Sequence, residues 1–117
     1  MDPVYQRKLL GLIGLGVRGR GAIVGVQAVR EAARRGKLHL AIAASDASSN
    51  SLDKVLPLLA ARGIVVLEGP STTELGSAAG REVTVVIGIV DKGLAKGIRA
   101  LSSTSKPDVR MERGERV

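Results

Sequence analysis

Cysteine, phenylalanine and tryptophan are absent from the chain; Tyr5 is its only aromatic residue and His39 its only histidine. Without thiols there can be no disulfide framework, thiolate metal site or cysteine nucleophile, and one histidine cannot build a two-histidine metal site. The lack of aromatics removes base stacking on exposed rings, the device of many single-strand binders, and leaves the core to aliphatic side chains. Long apolar runs are missing as well. Leu9 to Val17 is nine residues long, against about 20 for a membrane span. The Arg18-Gly19-Arg20 that follows is unlike the small-residue cleavage site of a signal peptide. No membrane partner is expected, and the expected location is cytoplasmic.

What is present suits one folded unit. The 117 residues, 44% hydrophobic and 25% charged, match a single soluble domain with one core. Lys and Arg outnumber Asp and Glu by 18 to 11, and the excess is uneven. Residues 1–37 carry eight basic and two acidic side chains, 38–91 three and six, and 92–117 seven and three. Cationic stretches at both ends of a chain are the footprint of a polyanion binder.

Periodicity gives the element order. Asp2-Pro3 reads as a cap and first turn for a helix over about 3–15, with Tyr5, Leu9, Leu12 and Ile13 on one face. A short strand follows at Ala22 to Val24. A second helix from Gly25 to Arg35 has Val26, Val29 and Ala33 as its buried stripe. Leu38 to Ala44 reads as a strand covered on both faces, with His39 in a structural role. A third helix is expected over 51–62, capped by Asn50 or Ser51 and kinked at Pro57. Ile64 to Glu68 is a strand, and Ser71 with Glu74 forms a capping box for a helix ending at Gly80. Val83 to Val90 should be a central strand. Asp91 then caps a last helix with Leu94, Ile98 and Leu101 on one face. Residues 102–117 read as a polar, disordered tail. The expected fold is a three-layer α/β/α sandwich over 1–101, with a mixed sheet of about four strands and about five helices.

Gly14, Gly16 and Gly19 match the dinucleotide fingerprint G-x-G-x-x-G. The apolar run before them repeats at helical spacing, however. Asp46 also stands 32 residues after Gly14, where the ribose-binding acid belongs about 20 residues on. The glycines therefore read as helix packing and a turn, and no cofactor is expected.

Other segments form an ordered set: LLGL at Leu9 to Leu12, the basic RGRG turn, a helix opening with Gly25, RRGK at Arg34 to Lys37, SDASSN at Ser45 to Asn50, LPLL around Pro57 and LGSAAG at Leu75 to Gly80. Together, over about residues 9–101, they resemble the YlxQ-type bacterial branch of the seven-Ae/thirty-e ribosomal protein family, whose best-known members bind kink-turns in RNA. The resemblance implies an α/β/α module without catalysis. Its partner would be structured, ribosomal RNA, with ribosomal proteins as further partners and a monomeric state.

The resemblance places the RNA surface at the start of the second helix. Kink-turn binders carry Gly-Thr-Asn-Glu there, with a lysine three residues later; here stand Gly25, Val26, Gln27, Ala28 and Glu31. The glycine allows close backbone approach and free N–H groups face an anion, while Gln27 keeps an amide. Ala28 and Glu31 depart from the kink-turn pattern. Gln27, Arg30 and Arg34 form an expected exposed basic stripe, and Arg18 and Arg20 are expected at its entrance. The resemblance brings up Asp46 to Ser48, where Asp46 is either a base-facing acceptor or a turn residue. It also brings up Gly80 to Thr84, with Arg81, Glu82, Val83 and Thr84 offering apolar and main-chain contacts. The competing readings are a protein-interaction module on the same fold and, more remotely, a dinucleotide binder.

Overall fold

The computed structural model describes residues 2–105. In order these form α1 (Pro3–Arg18), β1 (Ala22–Val24), α2 (Val26–Arg34), β2 (Leu40–Ala44), α3 (Ser49–Leu52), α4 (Leu56–Ala61), β3 (Val66–Gly69), α5 (Thr72–Ala79), β4 (Val86–Ile89) and α6 (Lys92–Ser105). Short polar side chains start several helices, since the first N–H groups of a helix have no partner within it. The Asp2 carboxylate accepts from the Val4 N–H at 3.0 Å, with Pro3 opening α1. At α5 the Ser71 hydroxyl accepts from the Glu74 N–H at 3.1 Å, and the Glu74 carboxylate accepts from the Ser71 N–H at 3.0 Å, a complete capping box. Asp91 accepts from the Leu94 N–H at 2.7 Å.

The four strands lie in the order β1-β4-β2-β3, with β4 antiparallel to β1 and β2, and β3 parallel to β2. Every residue of β2 and β4 is buried, the pattern of a strand covered on both faces. Leu40, Ile42 and Ile87 pack with Tyr5, Leu9, Leu75 and Ile98 of α1, α5 and α6. Ala41, Ala43 and Val86 pack with Val29, Leu52 and Leu59 of α2, α3 and α4 on the other face. The result is the expected three-layer sandwich.

Four expectations need correction. The single helix over 51–62 is two: α3 is capped by Ser48, whose hydroxyl accepts from the Ser51 N–H at 3.1 Å, and Asp53 to Val55 separate it from α4. Pro57 sits in the first turn of α4, where its missing N–H costs nothing, so it starts a helix where a kink was expected. The central strand is shorter than 83–90, and Val83 lies on the loop before it. Finally, α6 continues past 101: Ser102 is buried and its hydroxyl is 3.1 Å from the Tyr5 hydroxyl on α1. The rest of the expected tail, 106–117, lies outside the described residues. Gly14 and Gly16 are buried within α1, so no strand-turn-helix exists there to cradle a dinucleotide.

The connectivity gives the sheet two chemically different edges. At the first, β1, β2 and β3 end and β4 begins, which gathers Gly25, the loop 45–48, the start of α5 and the loop 80–85. At the opposite edge β1, β2 and β3 begin and β4 ends.

Candidate nucleic-acid interface

Gly25 ends β1 and caps α2 with φ +97°, a backbone conformation open to glycine and strained for other residues. Its N–H donates to the Val86 carbonyl at 2.9 Å, and its carbonyl accepts the first helical bond, from the Val29 N–H at 3.1 Å. No side chain caps α2. The N–H groups of Val26, Gln27 and Ala28 thus have no helical acceptor and carry the positive end of the helix dipole toward this edge. Gln27 is exposed and Val26 half-buried beside them.

The loop after α5 runs back along that helix. The Arg81 N–H donates to the Gly76 carbonyl at 2.7 Å and the Thr84 N–H to the Thr72 carbonyl at 2.9 Å. Between them the backbone presses on Gly76, where a Cβ would stand 2.7 Å from the Glu82 carbonyl oxygen and 2.8 Å from the Val83 Cα. Pinned at three points, the loop turns Val83 outward, 62% exposed. Gly76 is a positioning residue that reasoning by residue type passed over; the LGSAAG run that contains it was the available signal.

Other expected contacts are placed differently. Thr84 is only 3% exposed, and among the described residues its hydroxyl has no partner, so it holds the loop from inside the fold and offers RNA no side chain. Asp46 is exposed, but its carboxylate accepts from the Thr72 N–H at 2.7 Å, tying the β2–α3 loop to the start of α5. This is the turn role of its two readings. Arg30 is half-buried and donates to the Lys54 carbonyl, holding α2 to the segment between α3 and α4; the expectation of a freely exposed side chain fails there. Arg34 is exposed but ends α2, at the far end from Gly25, and lies 4.0 Å from Glu31. Arg18 and Arg20 precede β1 and therefore stand at the opposite edge from Gly25. They do not flank the start of α2 as expected.

The charge of the first edge differs from expectation too. Within the described segments gathered here (Gly25, 45–48, the start of α5 and 80–85), the acids Asp46, Glu74 and Glu82 outnumber the one cation, Arg81. The Glu74 carboxyl is held below its ordinary value, first by the Ser71 N–H, then by the Ser71 hydroxyl and the Gln6 amide, while burial and the Asp46 charge act the other way. What this edge offers is main-chain donors, the Gln27 amide and one exposed aliphatic side chain. No group of three or more acidic or histidine side chains suited to a metal ion occurs among the described residues, and no helix there is long and apolar enough to cross a membrane.

A three-layer sandwich with an uncapped helix start set between two loops at one end of a mixed sheet defines a known class of protein. The chain belongs to the ribosomal protein L7Ae/L30e/S12e/Gadd45 family, whose model matches residues 7–98. Among its relatives is the RNA-binding protein YlxQ of Bacillus subtilis (strain 168), 30% identical over 90 residues that cover 77% of this chain and 90% of that protein. A solved structure of a Bacillus halodurans protein of unknown function is 33% identical, with TM-score 0.75 over 82% of this chain and 97% of that one. The Giardia lamblia 15.5kD RNA binding protein shares the fold at TM-score 0.71, with 22% identity over 91% of each chain.

Proposed function

We propose that this is a non-catalytic RNA-binding protein that recognises structured RNA of the kink-turn kind at the first edge of its sheet. It acts in the cytoplasm in association with ribosomal RNA, as a monomer and without a cofactor. Family membership and a relative named as RNA-binding support the reading. The observation that carries it is the uncapped start of α2 at Gly25 beside the exposed Val83 on a loop held by Gly76. Unpaired backbone N–H groups suit a phosphate or a base edge. Val83 supplies an apolar face for an unstacked base, the contact that aromatic side chains make elsewhere.

The test is a binding titration with an RNA stem interrupted by a kink-turn loop, against the uninterrupted duplex. Val83→Asp should remove the preference for the looped RNA without altering the melting temperature, since the side chain is exposed. Gly76→Ala should have the same effect indirectly, because the added methyl collides with main chain at Glu82 and must displace the loop; its destabilisation is expected in the range of about 1–3 kcal/mol. A wild-type protein that binds both RNAs equally would sink the reading.

The protein-interaction reading draws on the acidic balance of this edge together with Ala28 and Glu31, which depart from the kink-turn pattern. Pull-down of a protein partner that survives ribonuclease and is lost in Val83→Asp would favour it.

A further inference from the structure

The first edge lacks the surplus of positive charge that RNA affinity ordinarily requires, since neutralised phosphates supply most of the salt-dependent binding energy. A denser set of cations stands at the opposite edge. Taken in strand order across the opposite edge, Arg18 and Arg20 precede β1, and Lys92 follows β4. Arg34, Arg35 and Lys37 precede β2, and Arg62 precedes β3. All of these are exposed.

Main-chain hydrogen bonds join these turns into one surface. The Val90 N–H donates to the Gly21 carbonyl at 2.9 Å, which sets the start of α6 beside the α1–β1 turn. The His39 N–H donates to the Ile89 carbonyl at 2.8 Å, which sets the α2–β2 turn next to it. Arg62 then donates to the Ala33 and Arg34 carbonyls at 3.1 and 3.2 Å, and Arg99 reaches from α6 to the His39 carbonyl at 2.9 Å. A guanidinium has five N–H donors, so Arg62 and Arg99 are steadied by these bonds and keep donors for a ligand.

Two carboxylates oppose this set. Glu31 is engaged by Arg35 at 2.9 Å and lies 4.0 Å from Arg34, and the Asp91 carboxylate caps α6. Strands are spaced at about 4.8 Å, so the row extends roughly 15 Å across the sheet. So many like charges close together oppose folding unless something else compensates.

We propose that the opposite edge is a second RNA surface, one that grips the phosphate backbone of a double-helical segment without reading its bases. Arginine predominates there, and its planar fork matches phosphate oxygens. A double helix supplies a dense, regular array of phosphates, and the hollow at this edge, lined by Leu15, Gly16, Gly19, Gly21, Asp91 and Leu94, is mostly apolar, its one carboxylate already capping α6. The proposal rests on the protein's being an RNA binder but not on what the first edge recognises.

The test uses the full chain and two probes: the uninterrupted RNA duplex and the same stem with the kink-turn loop. Arg18, Lys37 and Lys92 make no side-chain hydrogen bond or ion pair among the described residues, so Arg18→Glu/Lys37→Glu/Lys92→Glu should still fold cooperatively, the charge lost at the end of α1 being offset by the carboxylate gained in the first turn of α6. This variant should bind both probes roughly tenfold or more weakly, with the slope of log affinity against log salt reduced by about 2–3. Val83→Asp should leave duplex binding intact. Should the triple reversal not fold, Lys37→Gln/Lys92→Gln should show the same trend with a slope change of about 1–2.

Unchanged slope and affinity for the duplex in these variants would overturn the proposal while leaving the first-edge reading in place. A wild-type protein that does not bind the duplex would overturn it as well. Loss of duplex binding on reversal, with no preference for the looped probe in the wild type, would support this surface and sink the first-edge reading instead. Binding to phosphatidylserine vesicles that the duplex cannot displace would assign the surface to a membrane and overturn the proposal.

Discussion

Glu74 shows how one side chain links the fold to the candidate site. It closes the capping box of α5, receives the Gln6 amide of α1 at 2.6 Å, and belongs to the element that Asp46 ties to the β2–α3 loop. Its carboxyl titrates below the ordinary carboxylate value, chiefly through the Ser71 N–H and hydroxyl. The ionised form therefore stabilises the fold above the unfolded carboxylate range, and this contribution is lost as pH falls through the lowered folded value. Glu74→Ala should melt below the wild type at neutral pH, with the gap closing on acidification; thermal scans between pH 7 and pH 3 check this. Ser71→Ala should cost about 1 kcal/mol in denaturant unfolding. The box was legible as S-x-x-E. The tie from Asp46 to Thr72 was not, because it joins residues 26 apart in sequence through a turn that no pattern specifies.

Elements with strong internal signals were readable and those depending on partners were less so. The caps at Asp2, Ser71 and Asp91 and the two-sided burial of β2 and β4 all follow from local chemistry. Pro57 did not, since proline in an apolar run is compatible either with a kink or with a first turn. Asp53 to Val55, which divide α3 from α4, carry no breaker to decide between them. Polarity also misled at the end of α6, where Ser102 looks like the start of a tail but is buried against Tyr5. Chain termination after Leu101 should therefore destabilise the protein measurably in urea. Tyr5→Phe, which strands the Ser102 hydroxyl, should cost about 1–3 kcal/mol.

For the whole molecule, the cations at Arg18, Arg20, Arg34, Arg35, Lys37 and Lys92 were plain in the linear sequence, but their destination was not. Connectivity decides it: turns that precede β1, β2 and β3 fall at one edge, and the glycine-led start of α2 falls at the other. If about five phosphates are neutralised, the wild-type affinity for the looped RNA should fall with log salt at a slope of about −3.5 to −4.5, measured by titration across salt concentrations. The scarcity of aromatic residues gives such experiments an unusual clarity. Tyr5 is the only near-ultraviolet side-chain chromophore in the protein, borne on α1 and sealed against α6, while both candidate surfaces are optically silent. Near-ultraviolet absorbance and emission of the protein thus report the opening of that one helix seam. Any spectral change on mixing with RNA, once the nucleic acid's own signal is subtracted, registers a disturbance propagated through the fold instead of contact at a surface.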